Sequence, residues 1–228
     1  MKRTGRAMIL ALMALFLFLG GFSITQADPP DKHDGESLYV SVEQAIFYVR
    51  VFRSDGTLKD VGTGFLIRSD GTALTADHVV KEADRIECVL NDASVVPCRT
   101  VVESDLQDTA VLKLSPLSDT SGTEQPFPFI PLRKNAVKHG EKVFAIGYPI
   151  KDTQIITEGI VNAPRAAING RDRIMVSSQL VSGMSGGPLL DSFGFAAGIL
   201  SGSLRTMNGI HLAVDTQAVM QVLEQDEH

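Results

Sequence analysis

Cysteine is nearly absent: Cys88 and Cys98, ten positions apart, are the only two in 228 residues. One pair in a short segment gives too few ligands for a zinc site, so no metal and no other cofactor is expected. Long apolar runs are just as scarce. After residue 27 none approaches the roughly 20 residues of a membrane helix, so no stable membrane insertion is expected of the body of the chain. Positive charge is in deficit, with 21 Lys and Arg against 27 Asp and Glu and a formal net charge of −6, which argues against nucleic acid as a partner. Few helical patterns occur before the last dozen residues.

What is present starts with a leader. Lys2, Arg3 and Arg6 precede the unbroken apolar run Met8 to Leu19, and Thr25-Gln26-Ala27 offers small residues for cleavage. Residues 1–27 read as a signal peptide for export to the periplasm or the exterior. An uncleaved leader, stretched to Ile24 and anchoring the protein in a membrane, is the alternative. Cleavage after Ala27 leaves 18 Lys and Arg against 27 Asp and Glu, a formal charge of −9. Residues 28–40, with Pro29, Pro30 and several charges, read as a flexible spacer.

From residue 41 one capped helical turn, Ser41 to Ala45, leads into short β-forming stretches separated by turn signals. Ile46 to Phe52, Val61 to Ile67, Thr72 to Thr75 and Thr109 to Leu114 fill residues 41–114. Between them Ile86 to Leu90 and Val95 to Cys98 alternate like a hairpin. With its loop at Asp92 to Ser94, Cys88 and Cys98 face each other directly and oxidise to a disulfide in an exported protein. Two neighbouring buried thiols are the other reading. Residues 115–131 carry four prolines among Ser, Thr and Gly and form a linker. Strands resume in 132–228 and close with a helix capped by Asp215 or Thr216, whose Val219, Met220, Val222 and Leu223 pack back on the body. The pattern predicts an all-β fold of two antiparallel barrels, side by side, with a C-terminal helix and a site between the barrels.

The stretch Val181-Ser182-Gly183-Met184-Ser185-Gly186-Gly187-Pro188 surrounds one hydroxyl with glycines, which permits a sharp turn and close approach of a carbonyl. Ser185 is the candidate nucleophile. A nucleophilic serine needs a base and an acid to orient that base. Of the five histidines only His78 sits where a strand ends; His211 lies inside an alternating strand and reads as a wall or core residue. Asp108 precedes the apolar run Thr109 to Leu114, and Asp105 is its rival.

Gly62-Thr63-Gly64-Phe65-Leu66-Ile67, Leu74-Thr75-Ala76-Asp77-His78-Val79-Val80, Asp108-Thr109-Ala110-Val111-Leu112-Lys113-Leu114 and Gly183-Met184-Ser185-Gly186-Gly187-Pro188 resemble the successive motifs of trypsin-like serine peptidases, most nearly the bacterial HtrA (Deg) branch. Ala145-Ile146-Gly147-Tyr148-Pro149 and Glu158-Gly159-Ile160-Val161 extend the likeness over roughly residues 42–220. The resemblance implies six-stranded chymotrypsin-type barrels and hydrolysis of polypeptide substrates through an acyl-enzyme. His78 would be the general base, Asp108 its orienting partner and Ser185 the nucleophile, with the amides of Gly183 and Ser185 as oxyanion hole. It also implies a primary pocket lined by Gln179, by Leu200-Ser201-Gly202-Ser203 and by the strand from Gly209. No carboxylate occurs among these residues, so small or medium apolar side chains are expected before the cut rather than Lys or Arg. Oligomers occur in this branch and are possible here.

The chain departs from the pattern at Met184, where trimming-activated relatives carry Asp and the HtrA branch usually Asn, so activation by a new N-terminus is not expected. No appended PDZ domain is expected either, since the sequence ends soon after Asp215. An α/β-hydrolase elbow with Asp191 and His211 is a rival reading, but Pro188-Leu189-Leu190 continues as strand and not as helix. A protease fold that binds peptides or proteins without cutting them is the alternative from another class.

Overall fold

A computed structural model describes residues 32–118, 121–204 and 206–224, so the leader and the start of the spacer lie outside the described residues. Strands β1 (Ile46–Phe52), β2 (Leu58–Leu66), β3 (Thr72–Thr75), β4 (Arg85–Val89), β5 (Val95–Ser104) and β6 (Thr109–Leu114) close one antiparallel barrel in the order β1-β2-β3-β6-β5-β4. A two-stranded ribbon, β7 (Leu117–Ser118) and β8 (Glu124–Gln125), follows. Strands β9 (Lys142–Ile150), β10 (Thr153–Ile168), β11 (Arg171–Val176), β12 (Pro188–Asp191), β13 (Ala196–Ser203) and β14 (His211–Asp215) close a second barrel in the order β10-β11-β14-β13-β12-β9. The expected all-β fold of two six-stranded barrels with a terminal helix is the fold observed.

Among the described residues three short α-helices complete it, α1 (Gly35–Val42), α2 (Asp77–Val80) and α3 (Thr216–Leu223), with a 3-10 turn at Glu43–Ala45 leading from α1 into β1. Helix α1 corrects the spacer, which was expected to run to residue 40. The Asp34 carboxylate accepts the Ser37 N–H at 2.8 Å and the Ser37 hydroxyl accepts the Asp34 N–H at 3.2 Å, a reciprocal capping box. Leu38 and Val42, one turn apart, are buried, so the segment has both a start signal and an apolar stripe. Helix α3 starts as its cap predicts, with Asp215 accepting the Ala218 N–H at 2.8 Å and Val219 and Val222 buried.

The prolines of the linker punctuate a segment that is tied down rather than loose. Phe127 and Ile130 are buried, and their amides donate to Ser69 O and Leu66 O at 2.9 Å each. The Ala196 amide then donates to Pro131 O and the Arg133 amide to Ala196 O, which carries the chain onto the second barrel. Arg133 also pairs with Glu141 and, at 3.2 Å, with the buried Asp191. That ion pair accounts for Asp191 and leaves it no part in an α/β-hydrolase triad.

The cysteine hairpin differs from expectation by one loop residue. Its register pairs Cys88 with Val96 and Ile86 with Cys98, so the two cysteines are diagonal and not directly opposite. Leu90 N donates to Ser94 O at 2.9 Å, Ala93 adopts φ 66°, and the Asp92 carboxylate accepts the Ser94 N–H at 2.9 Å, which sets the turn at Asn91 to Ala93. The shift of two in register keeps both cysteines on one face. They are joined as a disulfide with Cα atoms 6.2 Å apart, inside the ordinary range.

Candidate active site

Segments of the first barrel meet the Ser185 loop and strand β13 of the second where the barrels touch. His78 lies in α2, immediately after β3. Its Nδ1 is 2.8 Å from Asp108 Oδ1, and its own backbone N–H donates to the same oxygen at 3.1 Å. The carboxylate therefore fixes both the ring and the backbone that carries it. Asp108 sits at φ 56°, a left-handed conformation that Asp tolerates better than most residues, at the turn that opens β6. Its other oxygen accepts the Ser201 hydroxyl at 2.5 Å. The Asp108 side chain is 7% exposed, whereas that of His78 is 46% exposed and open to a reactant.

Electrostatics follow from these contacts. Burial by itself would raise the Asp108 pKa, but hydrogen bonds from His78 and Ser201 outweigh it and hold the carboxyl below its ordinary value. For His78 the hydrogen bond to Asp108 is the largest influence; it prevails over burial, and the nearby charges of Asp108, Asp60 and Asp77 act with it, so the imidazole pKa is raised. Asp105, the rival carboxylate, is exposed and bonds Lys81 at 3.0 Å and Arg171 at 3.1 Å.

Ser185 is tied to the first barrel through its backbone. Its carbonyl accepts the Thr63 N–H of β2 at 2.8 Å. The next residue, Gly186, donates to Leu200 O at 2.7 Å and lies flat on the first barrel: a Cβ there would come within 2.9 Å of Ala76 N, two residues before His78, and nearer still to Thr63 O and Thr75 Oγ1. Its φ of 87° and these contacts together require glycine. Gly183, at φ 92°, faces the Tyr148 carbonyl, 2.5 Å from where its Cβ would be. Met184 between them is fully buried in the second core with Ala145, Leu189 and Leu200, so the loop is held by an apolar anchor where an ion pair would serve in activatable relatives.

Among the described residues neither the Gly183 nor the Ser185 N–H donates a hydrogen bond, and none joins the Ser185 hydroxyl to His78. Two unused amides on a sharp turn can receive an anionic oxygen. Apo catalytic hydrogen bonds are often long and tighten on substrate binding.

The pocket residues fare differently. Leu200 is buried and its backbone bonds Gly186 and Gly187. Ser201, expected as pocket wall, spends its hydroxyl on Asp108. Gly202 is half-buried, Ser203 exposed, and Gly209 exposed at a turn. Gln179 is exposed and its carbonyl accepts the Thr157 hydroxyl at 2.8 Å. Thr63, inside the Gly62-Thr63-Gly64 motif, has a role that its sequence context does not announce. Its hydroxyl donates to Gly183 O at 2.8 Å and accepts the Tyr148 N–H at 2.9 Å, while its carbonyl accepts the Thr75 hydroxyl at 2.7 Å. A threonine between two glycines in a strand was the available signal. No group of three or more His, Cys, Asp or Glu suited to a metal occurs among the described residues.

Paired barrels with a His, an Asp and a Ser at their junction define the class of serine peptidases of chymotrypsin type. Residues 62–199 match the family model described as trypsin-like peptidase domain, and the chain belongs to that family. It is 32% identical to the serine endoprotease DegS of Escherichia coli K12 over 178 residues, covering 73% of this chain and 48% of DegS. It is 29% identical over 171 residues to a probable periplasmic serine endoprotease, DegP-like, of Brucella suis, covering 72% of this chain and 32% of that protein. A crystal structure of the serine endoprotease from Yersinia pestis superposes with a TM-score of 0.70 at 26% identity, over 84% of this chain and 65% of that one. The chain thus spans about half the length, or less, of these curated relatives.

Proposed function

We propose that this protein is an exported serine endopeptidase acting on polypeptides through His78, Asp108 and Ser185. Ser185 Oγ attacks a peptide carbonyl as His78 Nε2 takes its proton. Asp108 holds Nδ1 and stabilises the imidazolium, and the amides of Gly183 and Ser185 receive the oxyanion. His78 then protonates the leaving amine, and water repeats the sequence on the acyl-enzyme. The observation that carries this reading is the bonded chain Ser201–Asp108–His78 beside two unused amides on the Ser185 turn.

Export is supported by the leader at residues 1–27, which lies outside the described residues, by the Cys88–Cys98 disulfide and by the periplasmic description of the Brucella relative. No helix among the described residues is long and apolar enough to cross a membrane. No carboxylate of the expected pocket lining would pair with Lys or Arg, which favours uncharged side chains before the cut. Self-association is possible, and polypeptide substrates are the partners this site requires.

The unbonded Ser185 hydroxyl is what a non-catalytic binding role would rest on. A fluorophosphonate probe separates the two readings. Labelling of the native chain, abolished in Ser185→Ala and reduced in His78→Ala, is expected; folded native chain that resists labelling would overturn the peptidase reading.

A further inference from the structure

Two buried polar atoms beside the active site have no partner. His211 opens β14, is 6% exposed, and is paired across the sheet with Val176 of β11 and Ser203 of β13. Its Nδ1 lies 2.7 Å from Ser203 Oγ, which leaves Nε2 buried and unbonded among the described residues. Two residues beyond Val176, Ser178 is fully buried and its Oγ is unbonded as well.

Both face the inside of the second barrel. His211 shares its side of β14 with Ala213, a member of that barrel's core, as is Val176 opposite. Gly159, whose β9 partner Val143 is also core, would bring a Cβ within 2.6 Å of Ser178 Oγ. Both residues are linked to the Ser185 loop through the neighbouring chain. On one side β13 runs past Gly186 at Leu200 and past Asp108 at Ser201 before it reaches Ser203. On the other, the chain leaving β11 passes through Ser178 and Gln179 directly into the Ser185 loop.

Unpaired buried polar atoms cost free energy that a matching group recovers on binding, and a site built to bond a substrate rejects the analogue that lacks the bond. A carboxamide offers two donors and an acceptor oxygen at the end of a medium-sized side chain, so it can answer a ring nitrogen in either tautomer and a hydroxyl at once. An aliphatic side chain answers neither. An ammonium or guanidinium brings donors only, and a carboxylate would have to draw a proton onto an imidazole whose pKa burial pushes down.

We propose that His211 and Ser178 select the substrate residue before the cut, and that the residue they select is glutamine or asparagine. This rests on the peptidase reading and names its substrate class.

The test is a peptide library varied at that residue, cut by the full chain whose active sites have first been counted with the fluorophosphonate probe. Gln or Asn should exceed Leu and Met in kcat/KM by at least about tenfold, the scale of a modest pocket discrimination. The ratio should fall toward unity in His211→Leu and drop in Ser178→Ala, with Leu peptides gaining in both. Ser178→Ala removes one atom and stands in if His211→Leu does not fold. Equal or better cutting after Leu or Met, a preference for Glu, or ratios unmoved by either substitution would each overturn the inference while the probe still labels Ser185. Failure to label would remove the peptidase reading, and the inference with it.

Discussion

The Thr63 hydroxyl donates to the Gly183 carbonyl at 2.8 Å, from one barrel to the other and across 120 residues of sequence. The peptide unit it holds lies between the two amides assigned to the oxyanion. Because the same hydroxyl oxygen also accepts the Tyr148 N–H at 2.9 Å, one buried side chain fixes the loop and the end of β9 together.

Thr63→Val keeps the shape of the side chain and removes that hydroxyl, leaving the Gly183 carbonyl and the Tyr148 amide without their partner. A loosened oxyanion loop harms the transition state more than substrate binding. The expected result is a fall in kcat of about 10- to 100-fold with KM little changed, below the 100- to 1000-fold typical of losing an oxyanion donor outright. Thr63→Ser should recover most of the loss. A change confined to KM would assign Thr63 to substrate contact instead.

The sequence made the barrels legible because β-forming runs and turn signals recur at short intervals, and a Pro-rich stretch divides them. It made His78, Asp108 and Ser185 legible as ordered motifs. What escaped it depends on pairing across distance. Ser201 reads as pocket wall until β13 is seen to pass Asp108, and His211 reads as either wall or core, with nothing in the sequence to show that its Nε2 is left without a partner among the described residues. Helix α1 was missed for a local reason: Pro29, Pro30 and the charges drew the spacer too far, although Asp34 and Ser37 already formed a cap.

Gly183→Ala tests the loop from the other side. A methyl group there would lie 2.5 Å from the Tyr148 carbonyl, a backbone atom, at a φ of 92° that L residues rarely adopt. The loop must shift, taking at least one amide out of position. Loss of about 100-fold or more in kcat is expected, with the thermal midpoint lowered by strain at φ > 0. Full activity in Gly183→Ala would mean that this amide does not hold the oxyanion.

Removing the disulfide should affect stability and leave chemistry alone. Cys88 is fully buried in the first barrel, on β4, and the loop it closes with Cys98 spans ten residues. Closing a loop of that size restricts the unfolded chain by about 2–3 kcal/mol. Cys88→Ala with Cys98→Ala, measured by urea unfolding against the oxidised parent, should lose about that much while the probe still labels Ser185. Dithiothreitol should lower the parent's stability and leave the double variant unchanged.

The acid limb of activity should report the His78–Asp108 bond. His78 must be neutral to take a proton, and its pKa is raised above the ordinary 6.5 chiefly by the Asp108 hydrogen bond, so kcat/KM should rise with a midpoint above that value. Asp108→Asn removes the charge and should move the midpoint down while cutting kcat by about 10⁴-fold. For stability the sign is opposite. The folded state favours protonated His78, so its contribution is fully present below the unfolded value of about 6.5 and is lost as pH rises through the folded one. Activity and this part of stability should therefore cross in the same interval, one rising as the other falls. A kinetic midpoint at or below 6.5 in the native chain would show that Asp108 does not charge-couple to the base.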